Sequence, residues 1–103
     1  MYNDQREGID FMADLEFIRE KNAITSYAHD GKLLAEITFP ETSPGEYTID
    51  HTFVDSSLRG QGIASQLVSL AVDAIQMQGG TVLATCPYAV KWLSKHKTKE
   101  PNQ

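Results

Sequence analysis

The sequence predicts a single α+β (α/β) domain with a mixed sheet, in which an antiparallel meander precedes a parallel strand–helix–strand unit and a C-terminal helix. Three observations predict this order. Alternating apolar and polar residues flank an Asp-Gly turn, a long helical stripe follows a glycine-rich loop, and a short apolar run comes after that helix. The 103 residues, 41% of them hydrophobic, fit one domain with a modest core.

Weakly patterned polar segments occupy both ends of the chain. We expect residues 1–13 to form a flexible N-terminal tail, residues 14–98 the single domain, and residues 99–103 a C-terminal tail. The stretch "DLEFIRE" predicts a short strand or a turn at the start of the domain.

The meander is predicted from turn chemistry. Asp30-Gly31 separates two alternating runs, residues 22–29 and 32–39, which is typical of a hairpin. "PETSPGE" then predicts a second turn, and "YTIDHTFV" a third strand of the same meander. Period-two alternation places the following residues of that strand on one face: Tyr47, Ile49, His51 and Phe53.

The second half predicts a helix, a strand and a helix. The first helix is predicted from an apolar stripe, and Gly79-Gly80 ends it. The stripe consists of Ala64, Leu67, Val68, Ala71 and Ile75. "TVLAT" predicts a buried strand, joined by a right-handed crossover from Val54 to Thr81 and parallel to the strand before the helix. Pro87 opens the last helix, which is expected to run from Tyr88 to His96.

Charge and composition exclude several classes of protein. The net charge of −5 argues against nucleic-acid binding, which requires basic side chains against phosphates. Residues 91–103 hold four lysines and one glutamate, either as a solvated helix end or as a small anion-attracting patch. No Cys/His spacing fits a metal, no apolar run could span a membrane, and the N-terminus does not resemble a signal peptide. A cytoplasmic protein without membrane or nucleic-acid partners is therefore expected.

The segment Arg59-Gly60-Gln61-Gly62 leads from a strand into a helix. The first N–H groups of a helix lack partners and carry the positive end of its dipole, and glycines allow an anion to approach them. These features predict a phosphate or pyrophosphate site, with a glycine turn that binds no ligand as the alternative. A P-loop would need a lysine after Gly62, and a dinucleotide fingerprint would need an acidic residue near Thr85.

A third pattern fits this segment better. Residues 59–64 match the Arg/Gln-x-x-Gly-x-Gly/Ala signature of the GNAT acyltransferases, and residues 22–96 resemble a GNAT domain. "IDHTFV", "LRGQGIASQLV" and "CPYAVKWLSKH" carry the resemblance, which is strongest to the minimal YjdJ-like subfamily. The resemblance implies transfer of an acetyl group from acetyl-coenzyme A, as co-substrate, to an amine.

The resemblance also implies where coenzyme A binds. The strand ending at Phe53-Val54 would hold the pantetheine arm through its backbone, with the thioester in a gap between splayed parallel strands. The pyrophosphate would contact the loop and the first helical turn. The residues expected there are Arg59, Gly60, Gln61, Gly62, Ile63, Ala64 and Ser65.

The chain is shorter than a usual member of that family. It has no room for the two helices that normally follow the first strand, or for the closing hairpin after the last helix. The acceptor groove would therefore be open or completed by a partner. The acceptor is expected to be an amine on a small molecule or a protein, and the chain a monomer or a homodimer.

Three residues are candidates for catalysis. Cys86 is predicted at the start of the last helix, where the helix dipole lowers the pKa of a thiol, so it is a candidate nucleophile or thioester neighbour. His51 is expected on the apolar strand face opposite Cys86, as a possible base. Tyr88 is a possible proton donor to the departing thiolate. Each has a packing role as its alternative.

Two other functions remain open from the sequence. The missing acceptor walls favour a coenzyme A-binding module, a sensor or subunit without efficient catalysis. An adaptor domain that binds no nucleotide is the other possibility, and coenzyme A would not stabilise such a domain against heat.

Overall fold

The computed structural model describes residues 15–96, which form seven strands, a 3-10 turn and two helices. The predicted tails lie outside the described residues, and the domain bounds of 14–98 stay a prediction. In chain order the elements are β1 (Ile18–Arg19), β2 (Ala23–Tyr27), β3 (Leu33–Thr38), β4 (Glu41–Ser43), β5 (Glu46–Ile49), β6 (His51–Val54), the 3-10 turn (Ser56–Leu58), α1 (Ile63–Met77), β7 (Thr81–Ala84) and α2 (Pro87–His96).

The first sheet has the antiparallel order β1-β2-β3-β6. Its central hairpin confirms the turn predicted at Asp30-Gly31. The Asp30 carboxylate accepts a hydrogen bond from the Lys32 N–H at 3.0 Å, and Gly31 has a φ of 91°, which a side chain would disfavour. Ile24 lies opposite Ile37, and both side chains are fully buried beneath α1.

The second sheet has the order β4-β5-β7, in which β5 pairs antiparallel with β4 and parallel with β7. The prediction for "PETSPGE" was partly wrong. Only Pro44 and Gly45 form the turn, whereas Glu41–Ser43 forms strand β4. The pairing of Glu41 with Tyr47 gives this exposed segment its strand structure, and the segment's own turn-forming residues did not indicate it.

The segment "YTIDHTFV" is not one strand of the meander. It divides at Asp50, so that β5 belongs to the second sheet and β6 to the first. At the division Asp50 donates its N–H to the Thr38 carbonyl at 3.2 Å and accepts from the Thr38 hydroxyl at 2.5 Å. The chain thereby passes from one sheet to the other, and the alternation expected across residues 47–54 does not hold.

Helix α1 confirms the predicted stripe with one change. Its fully or nearly fully buried residues are Ile63, Leu67, Val68, Ala71 and Ile75, so Ile63 takes the place expected for Ala64. The helix ends as Gly79-Gly80 predicted. Gly80 donates its N–H to the Ile75 carbonyl at 3.0 Å and Gly79 to the Gln76 carbonyl at 2.9 Å, with Gly79 at a φ of 77°.

Strand β7 follows α1 as predicted and runs parallel to β5, but it is not buried. It forms an edge of its sheet, where the side chains of Thr81 and Leu83 are exposed. Helix α2 begins at Pro87 as predicted. Among residues 15–96 neither helix is long and apolar enough to cross a membrane.

Candidate functional site

Strands β6 and β7 separate at the point where the chain changes sheets. The parallel ladder of β5 and β7 ends at the pair Ile49 and Ala84. The Ile49 carbonyl then accepts hydrogen bonds from the N–H groups of Thr85 at 3.0 Å and Cys86 at 3.1 Å. Beyond this point β6 pairs with β3, and within the described residues its other edge has no strand partner. A gap with free backbone groups therefore opens between β6 and the start of α2.

The glycine loop leaves β6 through a short 3-10 turn. Asp55 caps this turn, because its carboxylate accepts from the Ser57 hydroxyl at 2.6 Å and the Ser57 N–H at 3.1 Å. The Ser57 hydroxyl is the main cause that lowers the pKa of Asp55, and Lys32, at 3.5 Å, adds to it. The ionised Asp55 thus fixes the direction in which the chain enters Arg59 and Gly60.

Helix α1 begins at Gly62 without a side-chain cap. The first hydrogen bond along the helix runs from the Gln66 N–H to the Gly62 carbonyl at 3.1 Å, so the N–H groups of Ile63, Ala64 and Ser65 have no partner within the helix. These N–H groups and the helix dipole favour an anion at this end. Arg59 lines the same cleft and adds a positive charge to it.

The two loop glycines are needed for their backbone conformation. Gly60 has a φ of 85° and Gly62 a φ of 77°, which L side chains rarely adopt. A Cβ built on either residue meets no atom within 4 Å, so the space beside the backbone is open. An exposed backbone with open space in front of it fits a diphosphate group.

An open cleft of about 460 Å³ lies between the glycine loop, β6 and α2. It brings together most of the residues that the sequence predicted. The lining residues are Thr52, Val54, Leu58, Arg59, Gly60, Gly62, Ile63, Ala64, Ser65 and Tyr88. The glycine-loop part of the lining can therefore bind an anion, and Tyr88 of α2 also lines the cleft, which suits an elongated ligand with a charged end.

Cys86 caps the N-terminus of α2. Its carbonyl accepts from the Val90 N–H at 2.9 Å, and its side chain is buried with Sγ 3.5 Å from the Thr52 hydroxyl. Burial raises the pKa of the thiol. Hydrogen bonds from the Thr52 hydroxyl and the N–H groups of Ala89 and Tyr88 lower it by more, so the pKa of Cys86 lies below its ordinary value. The thiolate form of Cys86 is thus stabilised, and it lies next to Thr52, which lines the cleft.

Four of the predicted residues do not line this cleft: Cys86, which contacts its lining residue Thr52, and His51, Phe53 and Gln61. The placement of His51 on an apolar face was wrong, because His51 is exposed at the start of β6 and its Nε2 lies 3.5 Å from Glu36 Oε1. Since neighbouring strand residues point to opposite faces, His51 faces away from Thr52 and Cys86. Phe53 shares the face of His51, and Gln61 is exposed in the loop. Neither Phe53 nor Gln61 lines the cleft, so their backbone groups are the ones assigned to ligand binding.

The sequence interpretation missed two residues. Thr52 contacts Cys86, and period-two alternation from Val54 could have placed it on the cleft side of β6. Trp92 packs against the hydrophobic core, and in addition its indole Nε1–H donates to the Ser65 hydroxyl at 2.9 Å. No local pattern indicates this bond, because its partners lie 27 residues apart on different helices.

Comparisons with known proteins agree with this geometry. The family model described as GCN5-related N-acetyl-transferase matches residues 15–101. A solution structure of a GCN5-like protein from Staphylococcus aureus is 30% identical, with a TM-score of 0.68, over 84% of this chain and 85% of that one. No curated protein sequence matches the chain.

Larger proteins share the same fold over part of their length. A transcriptional regulator from Bacillus halodurans is 27% identical, with a TM-score of 0.53, over 75% of this chain and 59% of that one. An IAA acetyltransferase from Bacillus cereus is 22% identical, with a TM-score of 0.55, over 75% of this chain and 52% of that one. This chain therefore spans little more than half of these two proteins.

Proposed function

Since the chain belongs to the GCN5-related N-acetyltransferase family, a family of acetyl-transferring proteins, we propose that it transfers an acetyl group from acetyl-coenzyme A to an amine by way of Cys86. One observation carries this proposal. The Cys86 thiol caps α2 with a lowered pKa and contacts Thr52, a residue of the cleft.

The glycine loop is the proposed site of the pyrophosphate. Gly60, Gly62 and the free N–H groups of the first turn of α1 face open space, and the Arg59 side chain adds positive charge. The free edge of β6 supports the expectation that backbone groups near Phe53 and Val54 bind the pantetheine arm, because an extended chain can add to an unpaired strand edge.

Acetyl-coenzyme A supplies an activated acyl group as a thioester. The Cys86 thiolate attacks the carbonyl carbon, a new carbon–sulfur bond forms to Cys86, and the bond to the coenzyme A sulfur breaks. The leaving thiolate takes a proton, and the hydroxyl of Tyr88, which lines the cleft, is the candidate donor. The amine then attacks the acetyl group on Cys86, loses a proton and releases the thiolate.

His51 is proposed as a base that acts on the acceptor amine. It lies on the outer face of the first sheet, so it does not polarise Cys86. On this face its Nε2 lies 3.5 Å from Glu36 Oε1. The acceptor would approach from this face through the gap between β6 and β7. An acceptor that arrives as an ammonium ion would lose a first proton to His51 before attack, and the second proton is the one lost after attack.

Openness of the acceptor side distinguishes this chain from larger members of the family. Within residues 15–96, β2 follows β1 after only three residues, so no helix lies between them. This supports assignment to the minimal YjdJ-like subfamily and an acceptor that is either a small amine or a protein amine. A cytoplasmic location and a monomeric or homodimeric state, without nucleic-acid or membrane partners, belong to the same proposal.

The same openness favours a second candidate, a coenzyme A-binding module without efficient catalysis. Without walls around the acceptor, the effective concentration of the amine at the thioester is low. The two candidates differ in turnover and share coenzyme A binding.

The test is intact-mass measurement after brief incubation with acetyl-coenzyme A. Wild-type protein should gain one acetyl group, and the Cys86→Ala variant should gain none, since the acceptor sulfur is gone. The Cys86→Ala variant should still bind coenzyme A in a calorimetric titration, which confirms that its cleft is intact.

Either of two other results would change the conclusion. An unmodified protein that releases free coenzyme A with a panel of amines would indicate direct transfer and remove Cys86 from the mechanism. Binding of coenzyme A with neither adduct nor turnover would favour the binding module.

A further inference from the structure

Trp92 connects α2 to the first turn of α1. Its indole Nε1–H donates to Ser65 Oγ at 2.9 Å, in a partly buried contact between residues 27 positions apart. Ser65 also lines the cleft. The bond therefore joins a side chain of the proposed pyrophosphate site to α2, the helix that Cys86 caps.

A second contact holds the indole ring. The imidazole of His96 stacks on it, with ring centroids 3.8 Å apart and planes inclined by 13°. His96 Nδ1 lies 2.7 Å from the Trp92 carbonyl, which can only accept, so Nδ1–H is the donor. With its backbone in a helix and its ring stacked, Trp92 presents its N–H in one direction.

The direction of the hydrogen bond determines what Ser65 can offer. An indole N–H only donates, so it occupies a lone pair of Ser65 Oγ and leaves the hydroxyl proton available. Since Ser65 lies in the first turn of α1, its proton can be directed into the same space as the free N–H groups. A hydrogen bond to a charged acceptor is stronger than one to a neutral acceptor. The Ser65 hydroxyl can therefore strengthen the binding of an anion.

We infer that Trp92 is a positioning residue for the acyl donor: it holds Ser65 as a hydrogen-bond donor to the diphosphate and fixes α2 against that end of the cleft. This inference rests on the proposed function, because it assumes that coenzyme A occupies the cleft. The inference adds that the affinity of the cleft for the diphosphate depends on Trp92, which does not itself contact the diphosphate.

The test compares Trp92→Phe, which keeps a stacking ring without the N–H, with Ser65→Ala, which removes the hydroxyl. Each should weaken coenzyme A binding about three- to tenfold in calorimetry, the range for loss of one hydrogen bond. The double variant should bind no more weakly than Ser65→Ala, because Trp92→Phe acts through the same hydroxyl that Ser65→Ala removes. Ser65→Thr keeps the hydroxyl and should bind within about twofold of wild type.

A second donor separates positioning from general damage to the fold. S-acetylpantetheine carries the thioester but no diphosphate, so it should acetylate Cys86 at the same rate in wild type, Trp92→Phe and Ser65→Ala. Val90→Ala changes an exposed residue of the same helix and serves as the matched control, with wild-type affinity for coenzyme A.

The outcomes distinguish this inference from the proposed function. If wild type fails to bind coenzyme A, the proposed function fails. If wild type binds it and both single variants bind equally well, only the role of Trp92 is overturned. An additive loss in the double variant, or an equal loss with S-acetylpantetheine, would also overturn it, since either result indicates a structural role.

Discussion

The two helices begin in contrasting ways, although each follows a strand and borders the same gap. Helix α1 starts at Gly62 with no side-chain cap, and its first N–H groups face open space. Helix α2 is capped by Cys86, whose side chain interacts with the N–H groups of Tyr88 and Ala89. Pro87, at the first helical position, has no N–H to offer.

The difference shows how one physical property can serve two purposes. Both helix ends carry unpaired N–H groups and a positive dipole end. At α1 the absence of a cap leaves them for an external anion, whereas at α2 they stabilise a thiolate of the protein itself. The next three predictions test this contrast, from the largest expected effect to the smallest.

Substitution of Gly62 by alanine should have the largest effect. Ala disfavours a φ of 77° by about 1–2 kcal/mol, and relaxation of this strain would turn the N–H groups away from the cleft. Coenzyme A affinity should fall roughly tenfold, or ~1.4 kcal/mol, in calorimetry.

Gly45→Ala is the matched control for that substitution. Gly45 has a φ of 76° and open space around its Cβ position, but it lies in the turn between β4 and β5. Both variants should lose similar thermal stability, and only Gly62→Ala should lose affinity. Equal affinity losses would mean that the open end of α1 has no special role in binding.

Thr52→Val tests the capped end of α2. It removes the hydroxyl that helps to lower the pKa of Cys86, so that pKa should rise and the thiolate fraction at neutral pH should fall. Alkylation of Cys86 at pH 7 should slow by a factor of about 3, corresponding to one modest hydrogen bond. The measurement is the alkylation rate as a function of pH.

Thr48→Val is a suitable control for this change, because it breaks a hydroxyl pair with Thr42 at 2.7 Å in the second sheet. It should leave the pH profile of alkylation unchanged. A profile for Thr52→Val identical to wild type would leave the backbone N–H groups as the only source of thiolate stabilisation.

Asp55→Ala should have the smallest effect, because Asp55 acts on the glycine loop only through the 3-10 turn that precedes it. The pKa of Asp55 is below its usual 3.8, so the ionised form stabilises the fold above that pH. This contribution is lost as the pH falls through the lower pKa of the folded protein. Thermal unfolding of wild type and variant should therefore differ at neutral pH and converge in acid.

Coenzyme A affinity gives the second measurement on Asp55→Ala. It should fall by no more than about twofold, because Asp55 does not line the cleft. Asp30→Ala removes a comparable turn contact in the β2–β3 hairpin and should leave affinity unchanged. A difference in unfolding temperature between wild type and Asp55→Ala that increases as the pH falls would contradict the role given to the carboxylate.

The sequence by itself determined the elements whose causes are local. The stripe of α1, its Gly79-Gly80 end, the hairpin at Asp30-Gly31 and the start of α2 at Pro87 depend on residues a few positions apart, so periodicity and turn chemistry predicted them. The glycine loop belongs to the same group, because the positive φ values and free N–H groups arise from neighbouring residues.

Tertiary structure alone decided the features that depend on distant partners. The division at Asp50 depends on Thr38, and it reverses the expected orientation of His51. Thr81 and Leu83 lie on the exposed face of β7, and which face of a strand is covered depends on elements distant in the sequence. The contacts of Cys86 with Thr52 and of Trp92 with Ser65 join residues 34 and 27 positions apart, where only packing determines which side chains meet.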